Sequence, residues 1–186
     1  MEIYAPLADR MGMHRIRDEL EDLSFEILNN DARTLIQNRL NEIKKDKEDI
    51  FDILSLELKN TLNQNNISTE IFGREKTPFS IWRKLQKKRV SLQQISDIIG
   101  FRIIVNSTED CYQTLGVLHE KWNCIPGKFK DYISSPKING YKSLHTAIIG
   151  SYKKPIEIQI RTLEMHEFAE RGIASHWKYK SSEKFN

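Results

Sequence analysis

Through the first third of the chain, apolar residues return every third or fourth position. Ile16, Leu20, Leu23 and Ile27 mark one face of a helix predicted over 13–28. Asn29, Asn30 and Asp31 then offer a stop and a fresh cap. A second stripe, Ile36, Leu40, Ile43, Ile50, Leu54, Leu58 and Leu62, predicts one long amphipathic helix over 32–62 that weakens near Lys47. Its opposite face is charged, so the stripe needs a partner surface. The asparagine-rich stretch 63–66 breaks it, and beyond 66 the period changes. Residues 68–72 suit a short strand, 78–88 a helix with Pro78 in its tolerant first turn, and 98–105, rich in β-branched residues, a buried strand. Leu115, Leu118 and Trp122 predict a helix over 108–122 capped by Thr108. The stretch 126–141 reads as a polar loop punctuated by Gly and Pro. Strands are predicted over 144–151 and 155–161, turning at Lys153 and Lys154, and a last helix over 162–180. Helices first, then strands mixed with helices, predict an α+β chain. It divides into a helical segment, 1–66, and a mixed-sheet domain, 67–186, whose last two strands form an antiparallel pair.

Composition sharpens this picture at a few points. At 39% hydrophobic and 30% charged residues the chain can bury a core and is not of the disordered class. The net charge of +3 is too small to announce a nucleic-acid binder, but the charge is unevenly placed. Seven Lys or Arg lie between Arg74 and Arg89 against Glu75 alone, and four Lys between Lys128 and Lys142 against Asp131 alone. These clusters are either solvated basic faces or seats for a polyphosphate. Cys111 and Cys124 stand in no metal-ligand spacing and suggest no disulfide scaffold, which fits a reducing compartment. No apolar run is long enough to span a bilayer, and the first thirteen residues contain no signal core. A cytoplasmic location without a membrane partner is expected.

Several residues carry candidate chemistry. In 155–161, Ile156, Ile158 and Ile160 point to one side of the strand, and Glu157, Gln159 and Arg161 to the other. The isoleucines are core. The polar row is either an ordinary solvated face or a substrate-covered one offering a metal ligand, a base and a phosphate anchor. Arg74 and Lys76 share a side if extended, and Ser80 and Lys84 share a face if helical. Together they could grip a triphosphate, with Gly73 allowing close backbone approach. The Gly-rich cradle of a Walker loop is absent. Asp97 and Glu157 both fall at predicted strands and are the type of hard-oxygen pair that Mg²⁺ takes, although Asp97 also reads as a cap or surface residue. Between 128 and 146, Lys128, Lys130 and Lys137 accompany Tyr132, Asn139, Tyr141 and His145. This is either a hairpin loop or a purine site, where stacking on Tyr141 is worth about 1–3 kcal/mol. His119 and His166 read as packing or surface residues.

Five runs in this order resemble the synthetase domain of RelA/SpoT proteins. They are Gly73-Arg74-Glu75-Lys76 through Ser80 to Lys84; Asp97 through Gly100 to Arg102; Lys130-Asp131-Tyr132-Ile133; Pro136-Lys137 and Asn139-Gly140-Tyr141 through His145-Thr146; and Glu157 to Thr162. The resemblance covers about 67–180. Ala5-Pro6-Leu7-Ala8 and Leu20 to Phe25 are similar to the stretch linking the family's hydrolase and synthetase domains. It implies a nucleotidyltransferase-like mixed sheet flanked by helices, and synthesis of the alarmone (p)ppGpp from ATP and GDP or GTP. Arg74, Lys76, Ser80, Lys84 and Arg102 would hold ATP. Asp97 would bind Mg²⁺. Glu157 would bind metal or act as base on the acceptor's 3′-hydroxyl. Tyr141 would stack on guanine, with Lys137, Asn139, His145 and Gln159 around the acceptor and Lys130 neutralising phosphate.

The chain departs from the family pattern at Lys128, where members usually carry Arg, so the charge is kept but the fork geometry is lost. That motif is tied to acceptor preference, which leaves GDP against GTP open. Thr77 and Phe79 replace a commoner Ser and Tyr. The family's hydrolase and regulatory domains are expected to lie outside these 186 residues. Their absence would leave the N-terminal helices open to self-association, or to pairing with other fragments of the family. Against an active synthetase stand two other hypotheses: a catalytically silent nucleotide-binding fragment that acts through a partner, and a template-independent nucleotidyltransferase or RNA binder. The last would need a broad basic groove, and no direct nucleic-acid partner is expected.

Overall fold

The computed structural model describes residues 1–45, 48–74, 76–88, 100–150, 153 and 155–172. Four helices come first: α1 (Tyr4–Arg10), α2 (His14–Leu28), α3 (Asn30–Lys45) and α4 (Glu48–Gln64). They are followed by β1 (Thr69–Arg74), α5 (Pro78–Lys88), β2 (Gly100–Val105), α6 (Thr108–Lys121), β3 (Lys130–Asp131), β4 (Leu144–Ile149), β5 (Pro155–Thr162) and α7 (Leu163–Arg171). The sheet runs β1-β2-β5-β4-β3. β2 and β5 pair in parallel, and every other neighbour is antiparallel, including the expected β4–β5 pair. The α+β architecture with a mixed sheet is therefore the one the sequence predicts.

Alternation decides which face of the sheet is dry. Ile156, Ile158 and Ile160 of β5, Phe101, Ile103 and Val105 of β2, and Leu144 and Ile148 of β4 are buried on one side. They meet Leu54, Leu58 and Leu62 of α4 and Cys111 and Leu118 of α6, in one core that Trp122 completes. The boundary expected at 66/67 falls in the turn between α4 and β1, and α4 packs into the same core as the sheet. Gly73 has a structural duty here. An added Cβ would run into the Phe51 ring of α4, which stacks on Phe101 at 4.7 Å. The missing side chain makes room for an aromatic ring of the core, where the sequence suggested room for a phosphate.

A second, smaller core forms where α2, α3 and α5 meet. It holds Phe25, Ile36, Leu40, Phe79 and Ile81, with Trp82 and Leu85 packed on it. On α2 the expectation is corrected. Ile16, Leu23 and Ile27 lie exposed, Ile27 at 85%, while Glu21 and Phe25 are the buried positions. The spacing is helical, but the face that packs is the neighbouring one, because Phe25 fits between Phe79 and Trp82 and Glu21 meets Arg83 at 3.3 Å.

Other differences are local. The expected single helix over 32–62 is two, α3 and α4, on either side of residues 46 and 47, which lie outside the described residues. α6 is capped by Ser107, one residue before the expected Thr108. The Ser107 side chain accepts from the Asp110 N–H while Asp110 accepts from the Ser107 N–H, a reciprocal capping box. α1 has no counterpart in the apolar pattern; Pro6 lies in its first turn, where no N–H partner is lost. The last helix is described to Arg171, where the Gly172 N–H closes it on the Phe168 carbonyl at 2.7 Å. The remainder of the 162–180 expectation lies outside the described residues, as do residues 98 and 99 of the expected second strand.

The contrast between the two helical faces is directly measurable. Leu58→Ala, at a position with 1% exposure, is expected to cost about 2–5 kcal/mol in urea unfolding, whereas Ile27→Ala should change the free energy by no more than about 0.5 kcal/mol.

Candidate active site

The face of the sheet opposite the core carries polar residues in register. Phe72 on β1 pairs with Arg102 on β2, Arg102 with Gln159 on β5, Gln159 with His145 on β4, and His145 with Lys130 on β3. One row thus crosses all five strands and presents four polar side chains on the same side. The next row runs Arg74, Gly100, Glu157, Ala147. Six of the residues proposed from sequence, Arg74, Arg102, Lys130, His145, Glu157 and Gln159, are therefore placed together by strand pairing. Lys76 joins them through an ion pair with Glu157 at 3.1 Å. Ser80 and Lys84 stand one turn apart on α5, and the Ser80 hydroxyl donates to the Thr77 carbonyl at 2.8 Å. Asp97 lies outside the described residues.

α7 leans on this face and contributes groups that the sequence reading did not place in the site. Glu170 pairs with Arg102 at 3.0 Å, and His166, whose Nδ1 is 3.9 Å from the same carboxylate, stacks on Phe72. The four-residue spacing of His166 and Glu170 on a helix was the available signal. Arg161 is only 2% exposed, donates to Gln159 Oε1 at 2.6 Å, and lies over the Tyr141 ring at 5.7 Å. Burial lowers its pKa to about 10, and its Nε has no hydrogen-bond partner among the described residues.

The loop after β3 is braced by Asp131, which accepts from the Ile133 and Ser134 N–H groups at 2.9 Å and from the Tyr112 hydroxyl at 3.0 Å. These bonds hold its carboxyl below the usual range against the opposing effect of burial. Its role is to shape the loop. Farther along, Gly140 adopts φ +78° and turns the chain so that Asn139 Oδ1 accepts from the Tyr141 N–H at 3.2 Å. Tyr141, the expected stacking surface, is 6% exposed, with Lys137 Nζ 4.8 Å from its ring centroid. Lys137 and Arg161 both lie over the ring, so a base stacking on Tyr141 would have to displace one of these cations. The Tyr141 hydroxyl shares a hydrogen bond with His145 Nε2 at 2.8 Å. His119, by contrast, bonds Thr146 Oγ1 on the core side at 2.7 Å.

Comparison with known proteins now bears on this geometry. A family model described as a region found in RelA / SpoT proteins matches residues 73–184. The chain belongs to the RelA/SpoT family. Among curated RelA/SpoT relatives, it is 46% identical over 180 residues to the GTP pyrophosphokinase rsh of Brucella melitensis and 45% identical over 180 residues to the GTP pyrophosphokinase of Myxococcus xanthus. Each alignment covers 97% of this chain and 24% of the relative, so the chain spans about a quarter of the length of the curated relatives it matches. Small alarmone synthetase 2 of Bacillus subtilis is a structural neighbour, with TM-score 0.55, 31% identity and coverage of 81% of this chain and 83% of that one. The structure of small alarmone synthetase 1 from the same organism bound to its product pppGpp shares the fold at TM-score 0.56 and 24% identity, over 77% of this chain and 83% of that one.

A divalent cation fits the RelA/SpoT site on one observation. The Glu157 carboxylate is one-third exposed on the polar face, where it pairs with Lys76 at 3.1 Å. Mg²⁺ takes one or two such carboxylates and leaves its other positions to phosphate and water. Among the described residues no group of three His, Cys, Asp or Glu forms a self-contained metal site, and no helix is long and apolar enough to cross a membrane.

His145 is buried among the cations of this face. Burial first, then Lys137, Arg161, Arg74 and Lys130, push its pKa down to about 3, so the ring is neutral at pH 7. The folded value lies below the ordinary 6.5, so the unfolded chain binds the extra proton, and stability falls as pH drops from about 6.5 towards 3. His145→Gln should therefore lose less stability than the parent between pH 7 and pH 5, read as the shift in urea midpoint at the two pH values.

Proposed function

We propose that this chain is a GTP/GDP pyrophosphokinase that moves the pyrophosphoryl group of ATP onto the ribose 3′-hydroxyl of GDP or GTP. The products are (p)ppGpp, the alarmone of the stringent response, and AMP. The observation that carries the reading is the Lys76–Glu157 pair, set at the end of a polar sheet face whose rows bring Arg74, Arg102 and Lys130 into register. The names of the relatives, GTP pyrophosphokinase, and of the structural neighbours, alarmone synthetases, support it.

The chemistry follows from the residues. The acceptor's 3′-oxygen attacks the β-phosphorus of ATP, the bond from the α,β-bridging oxygen to that phosphorus breaks, and AMP leaves. Glu157 is the base that takes the hydroxyl proton. Lys76 turns from Glu157 to the incoming phosphates, which frees the carboxylate as the donor arrives. Arg74, Ser80, Lys84 and Arg102 complete the donor site, and the cations compensate the charge that moves towards the leaving group. Glu170 holds Arg102 in place. Lys130, Lys137, Asn139, Tyr141, His145 and Gln159 form the acceptor side, with guanine stacked on Tyr141. Glu157 and Asp97 are the residues that would hold Mg²⁺, which would supply charge neutralisation to the donor phosphates. A cytoplasmic location suits both nucleotides.

The decisive assay combines purified chain, labelled ATP, GDP or GTP, and Mg²⁺, with products separated by thin-layer chromatography. Tetra- or pentaphosphate should appear together with AMP. Glu157→Gln should reduce transfer by about 10²- to 10⁴-fold while ATP affinity stays within a few-fold. Full activity in that variant overturns the assignment of the base. Tyr141→Ala should weaken guanine-nucleotide binding by roughly tenfold or more, with ATP affinity little changed. ATP binding by the parent chain without any product would favour the silent, partner-dependent reading instead.

A further inference from the structure

The acceptor loop does not stand alone. The corner between α1 and α2, which lies outside the family-matched stretch 73–184, is packed directly against it. The corner turns at Gly12, with φ +73°. A Cβ on Gly12 would sit 3.3 Å from the Asn139 carbonyl oxygen and 3.3 Å from the Gly172 Cα. Gly172, at φ +65°, faces back in the same way, and a Cβ there would collide with the Met11 carbonyl oxygen. Two glycines thus let the corner, the loop and the end of α7 meet backbone to backbone.

Side chains then fix the loop from this wall. Asn139 Nδ2 donates to the Asp9 carbonyl at 3.0 Å, while its Oδ1 accepts from the Tyr141 N–H. Both ends of one amide are therefore engaged, and the amide is locked between the corner and the stacking residue. His14, with a side chain 15% exposed, meets the Tyr141 ring edge-on, centroids 5.2 Å apart at 77°. The Asp9 carboxylate accepts from Arg17 at 2.6 Å, lies 3.4 Å from His14 Nδ1 and attracts the Lys137 ammonium. Asn139 and Tyr141 are each contacted by a group between Asp9 and His14, and Lys137 is within reach of the Asp9 charge.

We propose that the α1–α2 corner is a wall of the acceptor site, with Asp9 and His14 as positioning residues that set Asn139 and Tyr141 for the guanine nucleotide. The proposal rests on the reading of the loop as the acceptor site. Its physical basis is pre-organisation: a loop already ordered loses less conformational freedom when ligand binds. Removing the His14 ring leaves Tyr141 without one of its edges and frees the loop, so the loss should fall on the acceptor and not on ATP.

The test uses the full chain with His14→Ala, His14→Phe and, as a control, Arg33→Ala. Arg33 pairs with Asp22 between α2 and α3, away from the loop, so this variant loosens the helices without touching the wall. Hydrogen exchange of the Gly140 and Tyr141 amides, which needs no ligand, is measured first, followed by calorimetric titration with GDP and with ATP. Expected are faster exchange of both amides and a five- to tenfold weaker GDP affinity in His14→Ala with unchanged ATP affinity. His14→Phe, which keeps a ring edge at this position, should recover most of both, and Arg33→Ala should match the parent. Unchanged exchange in His14→Ala, an equal loss for both nucleotides, or the same loss in Arg33→Ala would overturn the proposal. Faster exchange with no GDP binding in the parent would instead overturn the reading of the loop as an acceptor site while leaving the wall in place.

Discussion

The parallel pairing of β2 with β5 is the constraint on which the rest depends. Gly100 lies opposite Glu157, and Arg102 opposite Gln159. A slip of one residue would turn Ile156, Ile158 and Ile160 towards the polar side and bury a carboxylate, an amide and a guanidinium against Phe101 and Ile103. The apolar rows therefore hold the register, and the register in turn assembles the polar rows. β4 extends the same logic antiparallel, which brings His145 beside Gln159 although fourteen positions separate them in sequence.

On the polar face, cations outnumber anions. Among the described residues, Arg74, Lys76, Arg102, Lys130, Lys137 and Arg161 share the region with Glu157 and Glu170, and burial, reinforced by Lys137, Arg161, Arg74 and Lys130, keeps His145 neutral. Arg161 is the costly member, a charge almost wholly removed from water with its Nε unmatched among the described residues. A surface charged in this way has its best match in a densely anionic ligand, and Glu157 and Glu170 are each already bound to a cation that such a ligand would compete for.

Much of this was legible because strand alternation is a strict rule. The row Glu157, Gln159, Arg161 could be read directly, and so could the buried isoleucines. Pairing across strands could not, because Lys130, His145 and Arg102 become neighbours only through the sheet order. Helical spacing was a weaker guide. It correctly marks Leu54, Leu58 and Leu62, yet on α2 it marks a largely exposed stripe, because a single Phe25 fitted between Phe79 and Trp82 outweighs Ile16, Leu23 and Ile27. Tyr141 was found as a residue but not as a buried one, since its cover comes from Lys137, Arg161 and a helix corner more than a hundred positions away. Glycines misled in the same way: what Gly73 accommodates is Phe51, more than twenty residues upstream.

That last contact separates two meanings of a domain. The match to the family model begins at Gly73, but the side chain whose bulk dictates a glycine there belongs to α4, and the floor of the core includes Leu54, Leu58 and Leu62. The family-defining stretch contains the strands with the polar rows; the cohesion of their core requires a helix outside that stretch. The stretch that defines the family is thus shorter than the stretch that water forces to fold together; α4 lies outside the first and inside the second, and relatives that align over 97% of the chain span both.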